Sequence, residues 1–114
     1  MEKTDAIAAL AALAHEVRMD VFRLLVTAAT PCEGDGGLTP GTIAEALGLP
    51  APTLSFHLKE LSRAGLIQFE RRGRSLIYSP RISRLQAVAG FLLEDCCKGL
   101  PTVSVARKAK ETGS

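Results

Sequence analysis

The sequence predicts a mainly α-helical domain carrying one β-hairpin, and three observations predict it. Apolar residues recur every three or four positions through most of the chain, which is the helical period. One segment, LIQFERRGRSLIYS, departs from that period, with β-formers on either side of Arg72-Gly73. Glycine and proline cluster between the periodic segments and so mark the connections. A length of 114 residues suits one domain. With 46% hydrophobic residues and no Trp, its core must come from Leu, Ile, Val and Ala, and a domain this small gains from a second copy to cover what it leaves exposed. We expect one folded unit over residues 1–98 and a polar, flexible tail over residues 99–114.

Residues 4 to 26 read as helix, because Ile7, Leu10, Leu13, Val17, Val21, Leu24 and Leu25 keep helical spacing. One helix broken near residues 14–16, or two helices, fits equally well. Six alanines between Ala6 and Ala14 allow another backbone to come close. His15 reads as a helix-boundary or packing residue, and Arg18, Asp20 and Arg23 as solvated-face residues or intrahelical pairs. The following TAATPCEGDGGL excludes regular structure and carries Cys32.

Residues 39–65 organise the rest. Thr39 can cap a helix, Pro40 suits a first helical position, and Ile43, Ala44 and Leu47 share a face. Gly48 ends that helix. Pro50 and Pro52 interrupt the chain, and a second helix follows with Leu54, Leu58 and Leu61 at i, i+4, i+7 and Gly65 as its stop. Ser55, His57, Lys59 and Ser62 are then left for the outward face, with Thr53 and Phe56 near the leading end. Two short helices joined this way resemble a helix-turn-helix, whose second helix reads DNA. Residues 1–58 hold three basic and seven acidic side chains, residues 59–84 seven and two, and residues 85–114 four and three. Positive charge thus gathers where the second helix ends and the hairpin begins, as a phosphate backbone requires. Arg71, Arg72 and Arg74 crowd the hairpin tip, in the order of a winged helix.

A last helix after Ser79-Pro80 places Ile82, Leu85, Ala89, Leu92 and Cys96 in one stripe, widened by Val88 and Phe91, which suggests a partner helix. Cysteine usage is odd in number: Cys32, Cys96 and Cys97. Neighbouring cysteines make a poor structural staple, so they are free thiols with a chemical task or small apolar residues. No apolar run approaches the roughly 20 residues that span a bilayer, and charges interrupt the first residues where a signal peptide needs an apolar core. A cytoplasmic protein with no membrane partner is expected.

With ALAHEVRMDVFRLL, TIAEALGLPAPTLSFHLKELSRAGLI and RRGRSLIYS in place, the chain resembles the ArsR/SmtB family of metal-sensing winged-helix repressors over roughly residues 6–97. The resemblance implies a homodimer, with the first and last helices at the interface, that blocks double-stranded operator DNA until an inducer loosens it. It also implies DNA contacts from Thr53, Ser55, His57 and Lys59 and from Arg72 and Arg74 of the wing. Family members bind inducers in different places. A C-x-C pair in the first helix of the motif has no counterpart in residues 39–47, and a zinc-type site on the last helix lacks its histidines. A third group, with an adjacent cysteine pair near the end of the last helix, matches Cys96-Cys97 in EDCCKG and senses trivalent arsenic.

Soft thiolates favour such thiophilic ions over hard ones. Two thiolates suit a methylarsenite, which brings its own carbon, whereas inorganic arsenite calls for a third. Cys32 can supply that third thiolate, or it is a loop thiol without a role. Other readings stay open: a thiol redox or persulfide switch on the same DNA-binding scaffold, and, more distantly, a thiol oxidoreductase using Cys97. The last lacks C-x-x-C spacing and a nearby histidine base, so no enzyme activity is expected. A winged helix used only for protein contacts would show no salt-sensitive affinity for a duplex.

Overall fold

A computed structural model describes residues 1–29 and 36–94. Five helices and one hairpin follow in the order α1 (Lys3–Leu13), α2 (Glu16–Ala28), α3 (Pro40–Leu47), α4 (Ala51–Arg63), β1 (Ile67–Arg72), β2 (Ser75–Pro80) and α5 (Ile82–Leu92). The predicted fold class is therefore the observed one, and the amino-terminal segment resolves into two helices. His15 separates them: its backbone is extended and its Nδ1 accepts from the Val17 amide at 3.2 Å, capping α2.

α1 turns Ala6, Ala9 and Ala12 inward, and side chains this small let it lie against α2, α4 and α5. The core beneath is made by Val21, Phe22 and Leu25 of α2, Ile43 of α3, Leu54, Leu58 and Leu61 of α4, Leu66 and Ile67 entering the hairpin, and Val88 of α5. Each helix of the helix-turn-helix has a local cause. Thr39 Oγ1 accepts from the Thr42 amide at 3.2 Å and Pro40 opens α3, as its sequence predicts. Gly48, at φ +66°, closes α3 in the left-handed region that glycine adopts without steric penalty. α4 starts without a side-chain cap: Pro50 occupies the capping position, where only its fixed φ helps the helix begin.

β1 and β2 pair antiparallel, with Phe69 opposite Tyr78 and Arg72 opposite Ser75, so Gly73 and Arg74 form the two-residue turn. Gly73 takes φ +61° there. The hairpin is anchored on its β2 edge by Leu38, whose amide and carbonyl exchange hydrogen bonds of 2.9 and 2.8 Å with Tyr78. Gly37 makes that approach possible, because a Cβ on it would lie 2.5 Å from Ile77 Cγ2. At the other end, the Arg81 amide donates to the Leu66 carbonyl at 2.8 Å, tying the start of α5 to the root of the wing. Among the described residues, no helix is long and apolar enough to cross a membrane. The expected tail, residues 99–114, lies outside the described residues.

Candidate nucleic-acid interface

α4 presents two faces. Leu54, Leu58 and Leu61 point into the core, while Thr53, Ser55 and Lys59 are exposed, as a reading helix requires. Phe56 is also exposed, at 53%, on that outer side. Arg71, Arg72 and Arg74 are exposed at the tip of the wing. Arg72 is paired with Glu70 on the same strand face, two residues back, whereas Arg71 and Arg74 make no ion pair among the described residues. Both partners of the Arg72–Glu70 pair are substantially exposed, so the pair is worth at most about 1 kcal/mol and yields readily to a phosphate.

The placement of His57 on the outward face is corrected. Its side chain is only 6% exposed, and it packs between α4 and the start of α2. Arg18 Nε donates to His57 Nδ1 at 3.1 Å, which requires a neutral ring with its proton on Nε2. The ring of His15 lies 4.8 Å away and that of Phe56 5.4 Å away. Burial, and after it the charges of His15 and Arg18, lower the pKa of His57 from the ordinary histidine value of 6.5. The physical reason for the corrected placement is helical spacing: residue 57 stands three positions after Leu54, inside the stripe that also contains Leu58 and Leu61. A contact with bases from this ring is therefore withdrawn.

Arg18 is corrected with it. It is no solvated-face charge: besides holding His57, its guanidinium carbon sits 5.7 Å from the centroid of the Phe56 ring. Nothing in the spacing of α2 distinguishes Arg18 from Asp20 or Arg23, and only the packing of α2 on α4 reveals it. The remaining predicted DNA contacts, Thr53, Ser55, Lys59, Arg72 and Arg74, stand on the reading helix and the wing tip with their side chains exposed. Cys32, Cys96 and Cys97, the candidate thiolate ligands, lie outside the described residues. Among the described residues no cluster of three or more His, Cys, Asp or Glu side chains is placed to hold a metal ion.

A helical pair with an exposed polar outer face, followed by an arginine-tipped hairpin, defines a winged helix-turn-helix DNA-binding protein. Comparison with known proteins narrows this. A helix-turn-helix domain model matches residues 13–68. The transcriptional repressor SdpR of Bacillus subtilis is 34% identical over 64 residues, covering 56% of this chain and 71% of that protein. The structure of HlyU from Vibrio cholerae superposes with a TM-score of 0.63 at 27% identity, covering 86% of this chain and all of that one. A homodimeric winged helix-turn-helix domain from Mycobacterium bovis, described as a possible ArsR-family transcriptional regulator, shares the fold with a TM-score of 0.61 at 23% identity, covering 86% of each chain. The chain belongs to the family of helix-turn-helix transcriptional regulators that includes SdpR, and its fold is that of structures described as ArsR-family regulators.

Proposed function

We propose that the chain is a homodimeric transcriptional repressor that binds operator DNA and is released by trivalent arsenic. The observation that carries the DNA-binding part is that Thr53, Ser55 and Lys59 on the reading helix and the arginines at the wing tip all have exposed side chains. These are short hydrogen-bonding groups and cations placed where a major groove and its flanking phosphates would meet them. SdpR is a repressor, and by that likeness so is this chain.

Dimerisation is supported by what α1 and α5 leave uncovered. Ile7 and Leu10 on α1, and Ile82, Leu92 and Leu93 on and just after α5, are exposed, although these two helices pack on each other. Large apolar side chains on adjacent helices are what an interface between copies would bury. The homodimeric relative from Mycobacterium bovis has the same fold, which supports the same arrangement.

The inducer reading rests on Cys96 and Cys97, which follow α5 in sequence by four and five residues after Leu92. Thiolates that follow an interface helix closely in sequence would couple ligand capture to the packing of the two copies, and a ligand that prefers a different packing lowers the DNA-competent population. Two thiolates would accept a methylarsenite, and Cys32 would complete a site for inorganic arsenite. A gel shift on the region upstream of its own gene tests the whole reading. Wild type should bind and be released by trivalent arsenicals, and the double substitution Cys96→Ser with Cys97→Ser should stay bound at the same dose. Release of the double variant would overturn the inducer site, and release of wild type by mild oxidation alone would favour a redox switch.

A further inference from the structure

Arg18 of α2 reaches two neighbouring residues of α4. Its Nε holds the buried ring of His57 at 3.1 Å, and its guanidinium lies over the exposed ring of Phe56. One cation therefore fixes the reading helix at its inner face and at its outer one. We propose that Arg18 and His57 are the positioning pair of the reading helix, and that a proton taken up by His57 lowers operator affinity by dissolving their hydrogen bond. This rests on the operator-binding reading above and adds its control.

The chemistry follows from the donor inventory. Arg18 has only donors, so His57 can meet it only while Nδ1 keeps its lone pair. Protonation turns Nδ1 into a donor and sets an imidazolium against a guanidinium in a partly buried place, where like charges repel more strongly than in water. Among the described residues, no carboxylate is among the charges that act on His57 to offset this. α2 contributes Arg18, and its capping residue is His15, both of which oppose the charged form. Farther along α4, Glu60 lines the same cleft as Arg18 but is already paired with Arg63 at 3.1 Å. α1 brings only Ala8, Ala11 and Ala12 to that cleft, and no group of α3 or β1 is among the charges that act on His57. The lowered pKa of His57 fits a ring held neutral by this setting.

The sign of the effect separates this proposal from ordinary electrostatics. A positive charge added near a nucleic-acid surface strengthens binding, so a passive histidine would raise affinity on acidification. The positioning pair predicts the reverse. The full chain is titrated by fluorescence anisotropy against a labelled duplex from the region upstream of its own gene, at constant ionic strength, between about pH 8 and about pH 5.5. Wild-type affinity should fall by about threefold to tenfold over that range. His57→Asn, which keeps an acceptor but does not titrate, and Arg18→Met, which has no donor to lose, should each give a profile without that fall, whatever their starting affinity.

Affinity that rises or stays level in wild type while ring resonances show His57 becoming charged overturns the proposal, as does an equal fall in His57→Asn. If wild type does not bind the duplex at about pH 8, it is the operator reading that fails. The pair is then judged on the protein alone: backbone amide resonances of Ser55 and Phe56 that move with the His57 titration support it, and amides that stay still overturn it.

Discussion

α4 and α5 are helices of similar length, 13 and 11 residues, that are completed in different ways. α4 buries Leu54, His57, Leu58 and Leu61 on one face and keeps polar groups on the other, so its packing is finished within one copy. α5 buries only Val88 fully, and Leu92 and the adjoining Leu93 remain 59% and 65% exposed. A side chain of that size gains about 1.5–3 kcal/mol when it is removed from water, and α5 has left that gain unrealised. The difference teaches where each helix looks for its partner: α4 has spare polar groups for a ligand outside the fold, and α5 has spare apolar surface for another helix.

The comparison can be broken from either side, and the core of α4 should give the largest effect. Leu61→Ala removes a fully buried side chain and should cost about 2–5 kcal/mol, read as a lower denaturant midpoint at fixed protein concentration. A cost below about 1 kcal/mol would mean that α4 is not closed by its own subunit. For α5, Leu92→Glu with Leu93→Glu should weaken self-association at least about tenfold by sedimentation while helix content in far-UV circular dichroism stays unchanged. Unfolding, or an unaltered dimer, would contradict the assignment of that surface to a second copy.

The start of the helix pair sharpens the account further. Thr39→Ala removes the cap on α3 and should cost about 1 kcal/mol, with Thr39→Ser restoring most of it. The smallest effect is one of pH. Because the folded pKa of His57 is lowered, the unfolded chain binds this proton more tightly, and stability rises with pH. The contribution is complete above the ordinary value of 6.5 and is lost as pH falls from there toward the lowered value. The difference in melting temperature between wild type and His57→Asn should therefore change only below about pH 6.5.

Most of the fold was legible because its signals are local. Thr39, Pro40 and Gly48 delimit α3, the leucines at i, i+4, i+7 orient α4, and Gly73 marks the hairpin turn, each through contacts within a few residues. The turn itself falls one residue later than expected, on Gly73-Arg74. The anchoring of the wing by Leu38 was not legible, since pairing across 40 residues leaves no pattern in either partner. The candidate site divides the same way. Exposure of Ser55 and Lys59 follows from the position of Leu54 and Leu58 on one helix. The polar residue type of His57 points outward while its position at i+3 from Leu54 points inward, and the position decides. The role of Arg18 depends on a neighbour 39 positions away and had no local sign.

The central claim is that the outer face of α4 and the tip of the wing dock together on a duplex, and salt-dependent binding tests it most directly. The logarithm of the association constant of wild type for its upstream duplex should fall linearly with the logarithm of salt concentration. Lys59→Ala or Arg74→Ala should each make that slope shallower by about one for every phosphate that the variant no longer neutralises. A salt-insensitive affinity, or slopes in both variants equal to that of wild type, would contradict the account.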